Sequence, residues 1–422
     1  MPQNRTMIYQ QDIPGGCLRS FAVASLPGQD SHAGTPRFSS QTHSRTLSLV
    51  IAGGGTGGHL FPGIAVAEEV LAANPNSHVC FIGTGNHFET SVLHDKKFAQ
   101  KRIRVQSLKG KSRGRQIKAL ASLPGSIFKA AWILGKLRPD VVLGVGGYSA
   151  GPVVVAAWLL HIPRALHEQN VIPGMTNRML SRFADRICVS FENTRIKAPA
   201  QKIRMTGNPV RKEILYSLEN TPAASRGPVT PENPFTVFIV GGSQGAHHIN
   251  TAVMAALKHL RSKDRLAFIH QTGAADEDAV RKAYKDHAIT GTAKTFFHDM
   301  ERQYRKADLV ICRAGASTIA ELTILGKGVI FVPYPFAADD HQAINARQLV
   351  SREAAEMILE KDLSGEVLAG KIETYASHPQ GLGSMAANLR KEAKPDAARV
   401  IVEELYELAN KGPRGRGSKG SR

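Results

Sequence analysis

The sequence predicts an α/β protein of two tandem domains, each a parallel sheet covered by helices on both faces. Three observations carry this. From Leu47 onward, apolar runs of strand length alternate with helical patterns, and glycine-rich turns follow the strands. The order apolar run, glycine burst, helix then occurs twice, in LSLVIAGGGTGGHLFPGIAVAEE from Leu47 and in FTVFIVGGSQGAHHIN from Phe235. Parallel strands need a crossover between them, usually a helix, and such sheets bind ligands at the carboxyl ends of their strands. A Pro- and Ser-rich stretch near 221–234 separates the two occurrences.

In the first stretch Leu49, Val50 and Ile51 form the strand, and Gly53, Gly54, Gly55, Gly57 and Gly58 form the turn. Pro62 opens a helical segment, and His59 sits at the mouth of the turn. Glycines admit positive φ and bring bare N–H groups to a ligand, while a helix start adds partial positive charge. The geometry suits a phosphate or an acidic carbohydrate group. Gly53, Gly55 and Gly58 satisfy G-x-G-x-x-G, but a dinucleotide site expects an acid at the end of the second strand. Here His78 to Ile82 run into Gly83, Thr84 and Gly85 without one, and no G-K-[ST] follows for a P-loop. A turn rich in glycine for packing alone is the remaining alternative.

A length of 422 residues accommodates two or three domains, and the formal charge of +19 calls for an anionic partner: nucleic acid, a membrane surface or phosphorylated substrates. Its distribution discriminates. Thirteen Lys or Arg and no acid lie between Lys96 and Arg138, and five more follow from Lys411. Cys17, Cys80, Cys188 and Cys312 are scattered without C-x-x-C pairing, as reduced packing thiols would be. The N-terminus has no apolar run of the secretory type. The uncharged stretch Val141 to Leu160 is long enough to span a bilayer, but Gly144 to Pro152 in its middle reads as a turn between strand and helix.

Strands are expected near 47–51, 78–82, 102–106, 141–145, 164–167 and 186–189, with Gly144, Gly146, Gly147 and Tyr148 after the fourth and His167 to Asn170 after the fifth. Gly207-Asn-Pro-Val-Arg211 precedes the linker. In the second half, the strand Leu309 to Cys312 leads into a turn at Ala314 and Gly315, where Ser317 and Thr318 are expected to cap a helix carrying Glu321. After Val329 to Val332, prolines 333 and 335 hold an irregular loop bearing Asp339, Asp340, His341 and Gln342, a set suited to sugar hydroxyls.

Together GGGTGGHLFPGIAVAEE, GGYSAGP, LHEQN, GNPVR, VGGSQGA, RAGASTIAE and FVPYPFAADDHQAINA resemble the MurG-type UDP-N-acetylglucosamine transferases, which make lipid II from lipid I. The resemblance runs from Leu47 to about Leu405. It implies a GT-B fold, two Rossmann-like domains facing across a cleft, with no metal and no cofactor; the sequence offers no evident metal-ligand cluster. It also implies residue roles. Thr56, Gly57 and Gly58 line the cleft beside the donor, and Asn170 lies near the transferred sugar. Arg211 and Ser243 meet the donor, Ser243 at the pyrophosphate. Ala316, Ser317, Thr318, Ile319 and Ala320 hold nucleotide and phosphates, Glu321 the ribose hydroxyls, Phe297 the uracil region and Gln342 the N-acetylglucosamine hydroxyls. His59 is the best candidate for the base, with Glu168 and His167 behind it. Lys327-Gly328 departs from the family's usual proline.

The implied organisation is an extension without order at 1–46, an acceptor and membrane-binding domain at 47–211 rejoined by a C-terminal helix near 395–410, a linker at 212–234, a UDP-sugar domain at 235–394, and a basic tail at 411–422. The partners expected are UDP-N-acetylglucosamine, lipid I and anionic inner-membrane lipids, not nucleic acid, with the protein peripheral on the cytoplasmic face. Lys109, Lys111, Arg113, Arg115 and Lys118 precede Leu120, Leu123, Ile127, Phe128 and Trp132, the composition of an interfacial anchor; packing of these apolar residues on the sheet is the alternative. A UDP-sugar epimerase, a diacylglycerol glycosyltransferase and a membrane scaffold without activity stay open from the residues alone.

Overall fold

The computed structural model describes residues 43–105, 113–219, 227–242 and 245–412. Ser243, Lys109, Lys111, Cys17, most of the expected extension, part of the linker and the tail from 413 lie outside the described residues. In the N-terminal half the order is β1 (Ser48–Gly53), α1 (Gly57–Ala73), β2 (His78–Gly83), α2 (His87–Asp95), β3 (Ala99–Arg102), α3 (Arg113–Leu137), β4 (Val141–Gly146), α4 (Ala150–Leu159), β5 (Arg164–Glu168), α5 (Met175–Leu180), β6 (Arg186–Val189) and β7 (Ile203–Met205). Then α6 (Lys212–Glu219) leads to β8 (Phe235–Val240), α7 (His247–Ala256), β9 (Leu266–Gln271), α8 (Glu277–Asp286), β10 (Thr290–Lys294), α9 (Met300–Lys306), β11 (Leu309–Cys312), α10 (Ala316–Leu325), β12 (Gly328–Phe331), α11 (His341–Val350) and β13 (Glu356–Met357). Helices α12 (Gly365–Ser377), α13 (Gln380–Lys391) and α14 (Ala397–Lys411) complete the chain.

The strands form two parallel sheets, ordered β3-β2-β1-β4-β5-β6-β7 and β10-β9-β8-β11-β12-β13. In each sheet the order reverses beside the first strand, between β1 and β4 and between β8 and β11. That is where an open α/β sheet leaves a crevice at its carboxyl edge, and the glycine turns after β1, β4 and β8 open there. Alternation along β1 explains why both faces are covered. Leu49 and Ile51 pack into one core with Ile64, Val66 and Val70 of α1, while Val50 and Ala52 pack into another with Ala130 and Leu134 of α3 and Val153 of α4. Ile401, Val402 and Leu405 of α14 belong to the first of these cores, so the last helix returns from the C-terminal half to the N-terminal one.

Several elements differ from the sequence expectations. The third strand is Ala99–Arg102, earlier than 102–106: it is an exposed polar edge, and Ile103, which suggested the strand, turns into the core just after it. Edge strand β7 is only three residues long, too short for a periodic pattern to announce it. Helix α1 begins at Gly57, five residues before Pro62, which sits inside it. Proline has no N–H to bond the carbonyl of residue 58; that carbonyl instead faces Ser317 Oγ, 3.4 Å away in the other half. At the departure from the family's proline, Lys327 donates from Nζ to the carbonyls of Arg305 and Ala307 at 3.1 and 2.8 Å, capping the end of α9.

Candidate active site

Two glycine turns meet at the centre of the N-terminal half. A Cβ on Gly53 would collide with the Gly146 carbonyl, one on Gly147 would lie 2.7 Å from Gly54 O, and one on Gly54 would lie 2.5 Å from a Glu89 oxygen. Gly53, Gly54 and Gly147 are therefore glycine for close packing, at φ of 137, 139 and 77°. Gly55 and Gly58 have open space beside them instead, so only part of the glycine burst is available to a ligand. The second strand's missing acid has a substitute: Glu89 of α2 reaches back and accepts from Gly85 N at 2.8 Å and Thr84 Oγ at 3.2 Å. Its acceptors are occupied, and a dinucleotide ribose has no place there.

His59 lies in the first turn of α1, against Gly146. Gln169 fixes its tautomer. The Gln169 amide donates from Nε2 to Val145 O at 2.8 Å, so its Oε1 accepts, and His59 Nδ1 lies 3.2 Å from that oxygen. Nδ1 thus carries the proton and Nε2 the lone pair. Burial lowers the pKa of His59 below its ordinary value, with the charge of Glu168 and the Gln169 bond opposing that shift, so the imidazole is neutral near pH 7. The support continues inward: Gln169 Nε2 stands 3.2 Å from His167 Nδ1, and His167 Nε2 faces Gly207 O at 3.3 Å and Ser190 Oγ at 3.2 Å. Buried and neutral, with its pKa pushed down to about 4, His167 is a strut. Glu168 is another, accepting from Asn170 N, Asn170 Nδ2, Gly174 N and Asn177 Nδ2. Gln169 and Asn177 were not singled out in the sequence; Gln169 was visible only as the third letter of HEQN.

Across the cleft, α10 points its N-terminus at this turn. Gly315 is the cap, with no side-chain capping bond, so Ser317 and Thr318 are first-turn residues and not caps. Gly315 is already extended (φ −70°, ψ 141°), and the helix starts directly after it, which leaves no cap position for Ser317 or Thr318. The amides of Ala316, Ser317 and Thr318 have no intrahelical acceptor and face the side where an anion would sit. Thr56 is the cap of α1 through its carbonyl, which accepts from Leu60 N at 3.1 Å. Gly57 packs beside Phe61, and Gly58 meets Ser317 as described.

Glu321 is buried, its Oε1 held by Arg211 Nη2 at 2.7 Å and Nε at 2.8 Å. Burial pushes the carboxyl above its ordinary range, and Arg211 and Tyr304 oppose this. The Arg211 guanidinium also stacks 5.3 Å from the Phe61 ring of α1, so the pair sits where the halves meet. Asn170 accepts at Oδ1 from Asn345 Nδ2 at 3.0 Å, and Asn345 Oδ1 accepts from Val171 N at 3.1 Å, a clasp between α11 and the loop after β5. Gln342, in the first turn of α11, accepts from Tyr334 N at 2.9 Å. Phe297 is placed differently from the rest: its ring lies in the core against Phe238, so the ring does not face the cleft. Ile319 is buried as well. Among the described residues no group of His, Cys, Asp or Glu is arranged to hold a metal ion.

Two facing Rossmann-like halves with a glycine turn and base candidate on one side and a helix N-terminus with a buried carboxylate on the other define the GT-B fold of sugar-nucleotide enzymes. The profile of the glycosyltransferase family 28 N-terminal domain matches residues 49–189, and that of the C-terminal domain matches residues 236–401. The UDP-N-acetylglucosamine–N-acetylmuramyl-(pentapeptide) pyrophosphoryl-undecaprenol N-acetylglucosamine transferase of Geotalea uraniireducens is 46% identical over 360 residues, 85% of this chain and 98% of its own. The protein of that name from Myxococcus xanthus is 43% identical over 373 residues, 88% and 96% of the two chains. The crystal structure of Acinetobacter baumannii MurG matches with a TM-score of 0.68 and 32% identity, covering 86% of this chain and 99% of that one. A UDP-GlcNAc 2-epimerase from Neisseria meningitidis, at 16% identity and a TM-score of 0.61 over 86% of this chain and all of its own, shares the fold alone. The chain belongs to glycosyltransferase family 28, among the MurG-type transferases.

Proposed function

We propose that the chain transfers N-acetylglucosamine from UDP-N-acetylglucosamine to the muramoyl 4-hydroxyl of lipid I, forming lipid II for peptidoglycan synthesis, without a metal and with inversion. The observation that carries the mechanism is the fixed tautomer of His59. Its Nε2 takes the proton of the acceptor hydroxyl as that oxygen bonds the anomeric carbon, and the carbon–oxygen bond to the pyrophosphate breaks with its electron pair leaving on UDP. The α10 amides stabilise the charge that develops on the leaving group. Arg211, Glu321, Gln342 and Ser243 hold the donor from the C-terminal half, and Thr56, Gly57, Gly58 and Asn170 bound it from the other.

The acceptor is anchored in a bilayer, and α3 supports a docking face. Phe128 and Trp132, one turn apart, are 76% and 56% exposed, Lys136 lies over the Trp132 ring at 3.9 Å, and Trp158, Leu159 and Leu160 are exposed at the end of the neighbouring α4. Ile127, expected at the same face, turns instead toward the core that holds Ala130 and Leu134. No helix among the described residues is long and apolar enough to cross a membrane. We assign the basic charge to anionic lipids of the inner leaflet, with the protein peripheral on the cytoplasmic side.

The test is direct. Incubated with sugar-labelled UDP-N-acetylglucosamine, a polyprenyl-pyrophosphoryl muramoyl pentapeptide and excess EDTA, the chain should place the label in a β-linked disaccharide lipid. Label recovered as an epimer of the nucleotide sugar would replace the reading with epimerisation, and transfer only after added divalent cation would overturn its metal-free part.

A further inference from the structure

Helix α11 and the loop before it meet the N-terminal half through side chains. Two of these contacts are exposed: Arg178 Nη2 donates to Asp339 Oδ2 and Asn193 Nδ2 to Gln348 Oε1, both at 3.1 Å. A third is buried. Asn345, 0% exposed, accepts at Oδ1 from Val171 N at 3.1 Å and donates from Nδ2 to Asn170 Oδ1 at 3.0 Å. Asn170 in turn donates from Nδ2 to Glu168 Oε1 at 3.2 Å.

The direction of this ladder is fixed from both ends. A backbone N–H only donates, so the atom of Asn345 that faces Val171 is its oxygen, and its nitrogen faces Asn170. At the other end Glu168 accepts from backbone and side-chain N–H groups, so the nitrogen of Asn170 faces Glu168 and its oxygen faces Asn345. The ladder uses one amide hydrogen of Asn170 and leaves the second. Glu168, Val171 and Asn345 are buried, whereas Asn170 is half-buried, the one rung with access to the cleft side. Its nitrogen end is held from its own half and its oxygen end from the other. Gln342 lies three residues before Asn345, on the same side of α11, so this contact also sets where Gln342 stands.

We propose that Asn345 is a positioning residue for the donor sugar: it reaches across the cleft and turns the Asn170 amide so that the remaining N–H meets an oxygen of the transferred N-acetylglucosamine. Asn345 is closed to solvent and acts only through Asn170. The inference rests on the donor reading above and adds to it that the sugar site is complete only while the two halves are clasped.

Isothermal titration calorimetry of the full-length chain with UDP and with UDP-N-acetylglucosamine reads binding and no turnover. Asn345→Leu leaves the Asn170 amide held at its nitrogen alone. It should weaken UDP-N-acetylglucosamine about threefold or more, within what one hydrogen bond contributes, and leave UDP unchanged. Asn170→Ala should do the same. The double variant should be no weaker than Asn170→Ala, because a residue that acts through another adds nothing once that other is gone. Asn345→Ala, which adds no bulk, carries the test if Asn345→Leu fails to fold. An Asn345 that only supports the fold would lower affinity for UDP and the sugar nucleotide alike, or give losses that add in the double variant. Either result, or sugar-nucleotide binding unchanged in the Asn345 variants, would overturn the proposal while leaving the donor reading in place. Wild type that binds neither ligand would contradict the donor reading itself, and this inference with it.

Discussion

In the mechanism we propose His59 is the base, and the Gln169 carbonyl holds its other nitrogen. Without the Gln169 carbonyl, the proton would exchange between Nδ1 and Nε2, and part of the population would present a donor to the acceptor hydroxyl. Gln169→Leu should therefore lower kcat about tenfold or more while donor KM stays the same, and steady-state kinetics checks it. Gln169→Glu should keep Nδ1 protonated but place a carboxylate beside the ring, which raises the pKa of His59. With neutral His59 as the proposed base, the acid limb of the rate profile should move to higher pH; a move to lower pH would contradict the assignment. The motif HEQN showed these residues in sequence, but not that Gln169 holds Nδ1 of His59, 110 residues earlier. That became visible only when β1 and β4 lay side by side in the sheet. Glu321 teaches the same. Spacing placed it on a helix, but its ion pair with Arg211, 110 residues away, follows from the packing of α6 on α10. Glu321→Ala leaves a buried guanidinium unpaired, so it should cost about 3–5 kcal/mol of stability in urea titrations as well as weaken UDP binding. Unchanged values of both would remove Glu321 from the site.

At the scale of elements, the glycine bursts and apolar runs announced the central strands because these are buried on both faces and carry no competing signal. Edge strand β3 is polar and exposed and edge strand β7 is only three residues long, so periodicity had nothing to report. Helix α3 was legible as apolar and basic, but not in which face each residue takes. Ile127, Ala130 and Leu134 share one stripe and Phe128 and Trp132 another, offset by about one residue. The two stripes give opposite expectations. Phe128→Ser should weaken co-sedimentation with anionic vesicles, which salt should also weaken, and leave the melting temperature unchanged. Ile127→Ser should lower the melting temperature and leave vesicle binding near normal. The reverse pattern, or vesicle binding indifferent to salt and to Phe128, would refute the docking face.

Across the whole molecule, each half carries a buried histidine in a hydrogen-bonded network: His167 behind the first glycine turn, and His270, whose Nδ1 faces Tyr284 Oη and whose Nε2 faces Asn250 Oδ1, both at 2.9 Å. Burial pushes their pKa values down to about 4 and about 3, below the ordinary 6.5. A depressed folded-state pKa means that the unfolded chain binds the proton first. The stability these groups confer is complete above pH 6.5 and is lost as pH falls toward 4, with a slope on the order of 2.7 kcal/mol per pH unit from two protons. Denaturant titrations between pH 7 and pH 4 check this, and His270→Gln should remove one proton's share of the slope, about 1.4 kcal/mol per pH unit. The restart of the strand pattern near Phe235 made the two halves legible. The clasp of Asn345 on Asn170 was not, because it arises from surfaces that meet only when both sheets have formed.

The account rests on a base from one half acting on a donor held by the other, and release of UDP tests it most directly. UDP-N-acetylglucosamine is given to the wild-type chain and to His59→Ala, each with and without the lipid-linked muramoyl acceptor. Wild type should release UDP only with acceptor, and His59→Ala should release it about a hundredfold more slowly, as removal of a general base commonly does, with UDP affinity and melting temperature unchanged. Release at equal rates with and without acceptor, or near-normal release by His59→Ala, would contradict it.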